Sequence, residues 1–357
     1  MRTAGQAAPA THSKLLEEQR RAVLLRGDKL NRRPLGGSIS QENLLVQIME
    51  IKHKCDLGNH SRYVSVLEIS TDGRLGISAG HDGKVLLYNL HSQQVVTMLQ
   101  HDVAIRTAAF NDKCDRLTVL CEDRMIYIWD LQSSKIILQF PILGRQIEQE
   151  NAGLGRKYIT NAIFSPGANF LLAGSQDKIV YLIPVAPDAR AQRFIGHKMP
   201  VFGVGFTDED GPIWSYGQCD PLRYWDRKTR KELCRFGKDE WVFDAAISDD
   251  ANIAAIATSR KIEVWDGKTA KLRYRLPRSF LQWEQATTMA FRSDTYELLT
   301  GTYQGKMILW DLESHLRLFS IQAHDSWVDR ITRSSDGGII LSAGGMNKLV
   351  KLWELNP

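Results

Sequence analysis

The chain of 357 residues is 43% hydrophobic and 24% charged, the balance of a folded globular protein rather than a disordered or fibrous one. No segment reaches the roughly 18 to 20 apolar residues that a membrane-crossing helix needs, so no membrane insertion is expected. The net charge of +5 is unevenly placed: eight Lys and Arg against three Asp and Glu fall within residues 1–41, leaving 38 of each sign in the rest.

Residues 1–42 read as a basic N-terminal arm. Ser13 is an N-cap candidate, and the stretch to Leu25 holds good helix formers with apolar Leu15, Leu16, Ala22, Val23 and Leu25. Asn31 to Ser40, with Pro34, Gly36 and Gly37, reads as a linker. Glu17, Glu18, Arg20 and Arg21 break up any secretory apolar core, which points to the cytoplasm or nucleus. Five cysteines without a C-x-x-C pair argue for reduced thiols over a disulfide framework or zinc site. With balanced charge outside the arm, nucleic acid has only the arm to contact.

From residue 43 onward one unit recurs seven times, each copy ending in a strand-like run: KVLLYN to Asn89, MIYIWD to Asp130, IVYLIP to Pro184, LRYWD to Asp226, KIEVWD to Asp266, KMILWD to Asp311 and LVKLWE to Glu354. The penultimate residues are Tyr88, Trp129, Ile183, Trp225, Trp265, Trp310 and Trp353, spaced by 41, 54, 42, 40, 45 and 43 residues. A period of about 40 to 45 suits one four-stranded blade per repeat. His60, His101, His197 and His324 open four of the repeats, and Asp82, Asp123 and Asp177 stand six residues ahead of the penultimate position.

On these residues the segment 44–357 resembles the WD-repeat family. The resemblance implies an all-β fold, a seven-bladed WD-repeat β-propeller preceded by the short helical arm. It also implies that each His, turn Asp, second-strand Ser or Thr and Trp form a buried hydrogen-bonded set that locks the blade, so these residues are structural. Several blades depart from the pattern. Asp220 stands one residue late, Ser259, Gln304 and Asn347 occupy the Asp position, and Ile183-Pro184 suits an exposed outer edge. Asn347 still offers an acceptor like the missing Asp.

The last repeat supplies three strands before Pro357, and 44–52, LLVQIMEIK, has a strand's length. It is expected to complete the last blade and close a propeller domain over 43–357. The 54-residue spacing implies an extra loop at 143–156.

No catalytic constellation stands out, and no metal or cofactor is expected. Gly267-Lys268-Thr269 lacks the earlier glycine of a phosphate loop, and His53, Cys55 and His60 lack a fourth ligand. Asp208, Glu209 and Asp210 read as a solvated turn. What remains is a binding surface. By the resemblance, the residues flanking the first apolar position of each inner strand face the top of the ring, where partners dock. They are Tyr63 and Ser65, Ala104 and Arg106, Tyr158 and Thr160, Pro200 and Phe202, Trp241 and Phe243, Gln285 and Thr287, and Trp327 and Asp329. Six of these fourteen are aromatic, the residue type that dominates binding hot spots.

The expected function is therefore a non-catalytic scaffold that holds protein or peptide partners and helps build a multiprotein complex. Two alternatives are a substrate receptor of a ubiquitin ligase, resting on Trp225-Asp226-Arg227-Lys228, and an RNA- or chromatin-associated subunit using the arm.

Overall fold

The computed structural model describes residues 50–356 apart from 143–158, 188, 208–210, 218, 239, 249, 260, 277–284 and 293–294. The arm helix, the loop at 143–156, Tyr158 and the acidic turn at 208–210 lie outside the described residues. Among the described residues 28 strands, β1 to β28 in chain order, form seven four-stranded antiparallel sheets. The protein is an all-β seven-bladed propeller.

Each blade begins with an inner strand: β2 (Val64–Ile69), β6 (Ile105–Phe110), β10 (Ile159–Phe164), β14 (Val201–Phe206), β18 (Val242–Ile247), β22 (Ala286–Phe291) and β26 (Val328–Arg333). The hydrophobic core is divided into seven clusters, each lying between two neighbouring blades. Ile77, Val85 and Leu87 of blade 1, for example, meet Ile105, Leu117 and Trp129 of blade 2. Apolar residues therefore face both sides of a blade's middle strands, which explains why these strands read as continuous buried runs such as IAAIAT at Ile253–Thr258.

The ring closes through β1 (Glu50–Asn59), which pairs antiparallel with β28 (Leu349–Asn356), Glu50 opposite Asn356 and Asn59 opposite Leu349. Of the expected 44–52, residues 50–52 lie in this strand and 44–49 lie outside the described residues, while the described pairing runs on to Asn59. Apolarity ends at Lys52 while backbone pairing does not. An outer strand with one wet face tolerates the polar run Lys52, His53 and Lys54.

Blade 3 corrects a second expectation. Ile183 is buried, because β12 (Ile179–Pro184) is the third strand, covered by β13 (Gln192–Ile195). Proline is tolerated at its end since β13 pairs only with Ile179 through Leu182, so no ladder donor is missed at Pro184.

In all seven inner strands the register shifts between the first and third residues. This bulge re-aims the second residue of each strand. It lies at the top rim, beside the turns that hold Asp82, Asp123, Asp177 and Asp220; the opposite rim is the bottom.

Candidate functional site

The buried His–Ser–Asp arrangements come first, because their geometry resembles a catalytic triad. In blade 4, Trp225 Nε1 donates to Ser215 Oγ at 2.8 Å, Ser215 Oγ lies 2.7 Å from His197 Nε2, and His197 Nδ1 lies 2.9 Å from Asp220. Indole can only donate, so Ser215 passes its own proton to Nε2 and Nδ1–H points at the carboxylate. Blade 1 builds the same chain from His60, Ser78 and Asp82, with Tyr88 replacing Trp at 2.6 Å from Ser78. Ser78, Ser215 and Ser342 are each 0% exposed, so no substrate carbonyl can reach these hydroxyls. A nucleophile needs that access, and these sets act as locks.

Asp220, one position late in sequence, nevertheless reaches His197, because the β15 (Ile213–Gly217) to β16 (Asp220–Trp225) ladder shifts register between Ser215 and Gly217. It also accepts from buried Arg223 at 2.9 Å, whose other end meets Glu232 at 2.7 Å. Burial raises the Asp220 pKa, yet the bonds from Arg223, the Lys198 amide and His197 outweigh it and hold it below the ordinary value.

The other blades use parts of the set. In blade 2 the serine position is Val119, opposite Tyr127, and Trp129 Nε1 donates directly to His101 Nε2 at 3.1 Å. Asp123 and Asp177 take the hydroxyls of Tyr127 and Tyr181 at 2.9 and 2.6 Å instead of a histidine. In blade 6 Trp310 Nε1 donates to Thr300 at 3.2 Å. In blade 7 Ser342 joins His324 and Trp353, both at 2.8 Å. Asn347 does not replace the aspartate there. It accepts the Leu349 amide, and among the described residues His324 Nδ1 has no partner. Burial lowers the His324 pKa to about 4, so the ring is neutral. In blade 5 nothing among the described residues accepts from Trp265 Nε1.

The top-rim positions divide into two kinds. Ser65 and Thr287 donate to the carbonyls of Ile105 and Val328, the first residues of the next inner strands, at 2.7 and 2.6 Å, and Thr160 does the same to Val201. These three staple blade to blade. The remaining second positions project upward. Arg106 pairs with Glu122 at 3.0 Å, and Asp329 is half-buried, its pKa raised by burial against the pull of Arg330 and His81. Phe202 and Phe243 are exposed.

Two aromatic groups result. Tyr303 stacks on Trp327 (centroids 5.9 Å, 12°), and Trp327 lies 6.5 Å from Tyr63, which meets His81 edge-on at 6.5 Å. Tyr303 and Tyr63 are 58% and 51% exposed. On blade 5, next to the blade of Tyr303, Trp241 and Phe243 are 6.3 Å apart and both exposed, with exposed Phe202 and Met199 on blade 4. Tyr303, His81 and Met346 were missed by reading inner strands alone. His81 and Tyr303 occupy one repeated turn position, whose equivalent in blade 7 is Gly345, and Met346 lies one residue beyond it in a longer turn. The amides of His81, Glu122 and Tyr303 bond to the carbonyls of Tyr63, Ala104 and Gln285, which sets this turn beside the inner-strand positions.

Comparison with known proteins agrees with the fold. The family model described as WD domain, G-beta repeat matches residues 92–130 and 316–354. This chain carries WD repeats on a seven-bladed β-propeller. Its WD-repeat relatives include Actin-interacting protein 1 of Drosophila melanogaster, 23% identical over 49% of this chain and 28% of that protein. Meiotic fizzy-related protein 1 of Schizosaccharomyces pombe is 22% identical over 82% of this chain and 67% of its own length. Human Pre-mRNA-processing factor 17 is 21% identical over 83% of this chain and 51% of its own length. The chain thus spans about a quarter to two thirds of these relatives. Among the described residues no helix is long and apolar enough to cross a membrane, and no cluster of three His, Cys, Asp or Glu could hold a metal ion.

Proposed function

We propose that this WD-repeat propeller is a non-catalytic, cytoplasmic scaffold that holds protein or peptide partners on its top face and helps assemble a multiprotein complex. One observation carries the reading: two groups of aromatic side chains, Tyr63–Trp327–Tyr303 and Trp241–Phe243 with Phe202, all exposed but half-buried Trp327, on one rim of the ring. Large exposed aromatics grouped on one face are what a partner buries at low rotamer cost. Arg106 and Asp329 give the same rim charged groups that set orientation. Relatives named for a pre-mRNA-processing factor and an actin-interacting protein fit a fold that serves many assemblies.

The test is affinity purification with mass spectrometry on the full chain, a Trp241→Ala plus Phe243→Ala variant and a Tyr303→Ala plus Trp327→Ala variant, with folding checked by circular dichroism. Folded variants are expected to lose partners that the parent retains. Full retention by both variants would overturn the top-face reading. Retention that instead falls steeply with salt and with nuclease would favour RNA bound through the arm.

A further inference from the structure

The residue that follows each repeat's closing acid, or its substitute, lies at the bottom rim and fills the seam to the preceding blade. Leu90, Leu131, Val185, Leu312 and Leu355 take this place in blades 1, 2, 3, 6 and 7, each packed with the cluster shared with the blade before it. Blade 5 has Gly267 there, and blade 4 has Arg227. The Arg227 guanidinium lies over Phe170 of β11 (Phe170–Ser175) in blade 3, 4.7 Å from the ring centroid, and 5.8 Å from that of Phe206 in its own blade. A guanidinium stays charged and cannot enter an apolar cluster as leucine does. In place of a filled seam there is a notch of about 380 Å³, lined by Phe170, Leu182 and Gln192 of blade 3 and by Arg227, Lys228 and Arg230 of blade 4. Among the corresponding turns of blades 1, 2, 4, 5 and 6, only this one carries a cation at all three places.

We propose that this notch binds a phosphate monoester, a phosphoserine or phosphothreonine side chain of a partner protein. The acids of the same hairpin are already engaged. Asp226 accepts from the Thr229 amide and hydroxyl at 2.6 and 2.8 Å, and Glu232 holds Arg223 at 2.7 Å and also Arg235. Lys228 and Arg230 are exposed and form no ion pair among the described residues, and no described acid lines the notch. Converging cations suit a phosphate, which carries close to two charges and three acceptor oxygens at neutral pH. The Gln192 amide adds a neutral donor, and Phe170 and Leu182 offer an apolar wall to the carbon chain that carries the phosphate. A membrane surface or a nucleic-acid backbone needs an extended basic face instead. Here the positive charge is local, since 38 cations and 38 acids balance outside the arm. The notch lies on the bottom rim and does not rest on the role of the top face.

The experiment passes an oriented library of phosphoserine and phosphothreonine peptides over the immobilised full chain. The most enriched peptide is then measured by fluorescence anisotropy beside its unphosphorylated form. The phosphorylated form is expected to bind about tenfold or more tightly. Lys228→Gln plus Arg230→Gln should remove most of that difference at an unchanged melting temperature, because both side chains are exposed. Arg227→Leu, which restores the residue of blades 1, 2, 6 and 7, should remove it too in a folded propeller, a result that a purely structural arginine would not give. Trp241→Ala plus Phe243→Ala should leave it intact. Equal binding of the two peptide forms, or a preference that survives both notch variants, would overturn the proposal. So would enrichment of Asp- and Glu-rich peptides regardless of phosphate. Binding to phosphatidylinositol phosphate vesicles or to poly(U) RNA that the notch variants abolish, without any phosphopeptide preference, would reassign the notch to a lipid headgroup or a nucleic-acid backbone and overturn it as well.

Discussion

Blades 4 and 5 sit side by side, share one apolar cluster and solve the same internal problem differently. In blade 4, Trp225, Ser215, His197, Asp220 and Arg223 form one connected buried network. In blade 5 the serine position is Ile256, opposite Glu263, and the aspartate position is exposed Ser259, so Trp265 keeps its ring in the cluster while its N–H meets no acceptor among the described residues. Where blade 4 buries Arg223 between acids, blade 5 buries Glu263 between Lys261 at 2.9 Å and Arg275 at 3.1 Å. A blade can therefore be held without the Trp–Ser–His–Asp lock. The polar lock adds strength and, more sharply, a penalty when one member is removed.

The largest expected effect breaks the lock at its most connected member. Asp220→Ala strands His197 Nδ1 and leaves the Arg223 cation with only Glu232, and should destabilise by about 3 to 5 kcal/mol. Ser259→Ala, at the equivalent position of blade 5, should stay within about 0.5 kcal/mol. Urea titration of both variants measures the contrast, and equal midpoints would remove Asp220 from the lock.

How much of this was legible differs by residue. The seven endings and their spacing carry the fold, because an aromatic or apolar residue at a fixed interval reports one packed blade. Asp220 was misjudged because counting back from Trp225 assumes a regular turn, and the register shift between Ser215 and Gly217 moves the carboxylate into place. Asn347 has the right shape for the missing aspartate, but its oxygen is taken by its own turn amide. Ser65, Thr160 and Thr287 share positions with Phe202 and Phe243, and only the neighbouring blade's carbonyl decides that a short hydroxyl side chain turns inward.

A second test concerns the seam between the two blades. Gly203 and Gly205 of β14 leave room for Tyr216 and Trp214, whose rings stack at 6.3 Å and 7°. The Tyr216 hydroxyl donates to the Phe243 carbonyl of blade 5 at 3.2 Å. A Cβ on Gly203 would stand 2.1 Å from the Tyr216 ring. Gly203→Ala should push Tyr216 off the seam and destabilise by about 1 to 3 kcal/mol, read by thermal melting.

The two blades should also respond oppositely to pH. Burial lowers the His197 pKa, so its contribution is complete above the unfolded value of 6.5 and is lost as pH falls. Burial raises Asp244 of blade 5 to about 6, against Arg330 and the Met289 amide. Between its unfolded value of 3.8 and about 6 the folded state binds more protons, so stability from this group falls as pH rises. Asp244→Asn removes that loss. Its advantage over the parent should grow by about 1 to 2 kcal/mol from pH 4 to 7, whereas a constant difference across that range would contradict the assignment.

The smallest effect isolates the lock itself. Trp225→Phe and Trp265→Phe remove the same atoms from equivalent positions in two neighbouring clusters, buried Trp225 in the one shared with blade 3 and half-buried Trp265 against the one shared by blades 4 and 5, so the packing loss is expected to be at least as large at Trp225. Trp225→Phe also deprives Ser215 of a donor, whereas Trp265→Phe deletes an N–H that bonds to nothing among the described residues. The first should therefore be less stable than the second by at least about 1 kcal/mol, the net value of one buried hydrogen bond, with any packing difference added to it. Equality of the two in matched denaturant titrations would mean that the indole bond to Ser215 adds nothing beyond packing, and that blade 4 owes its strength to Asp220 and Arg223.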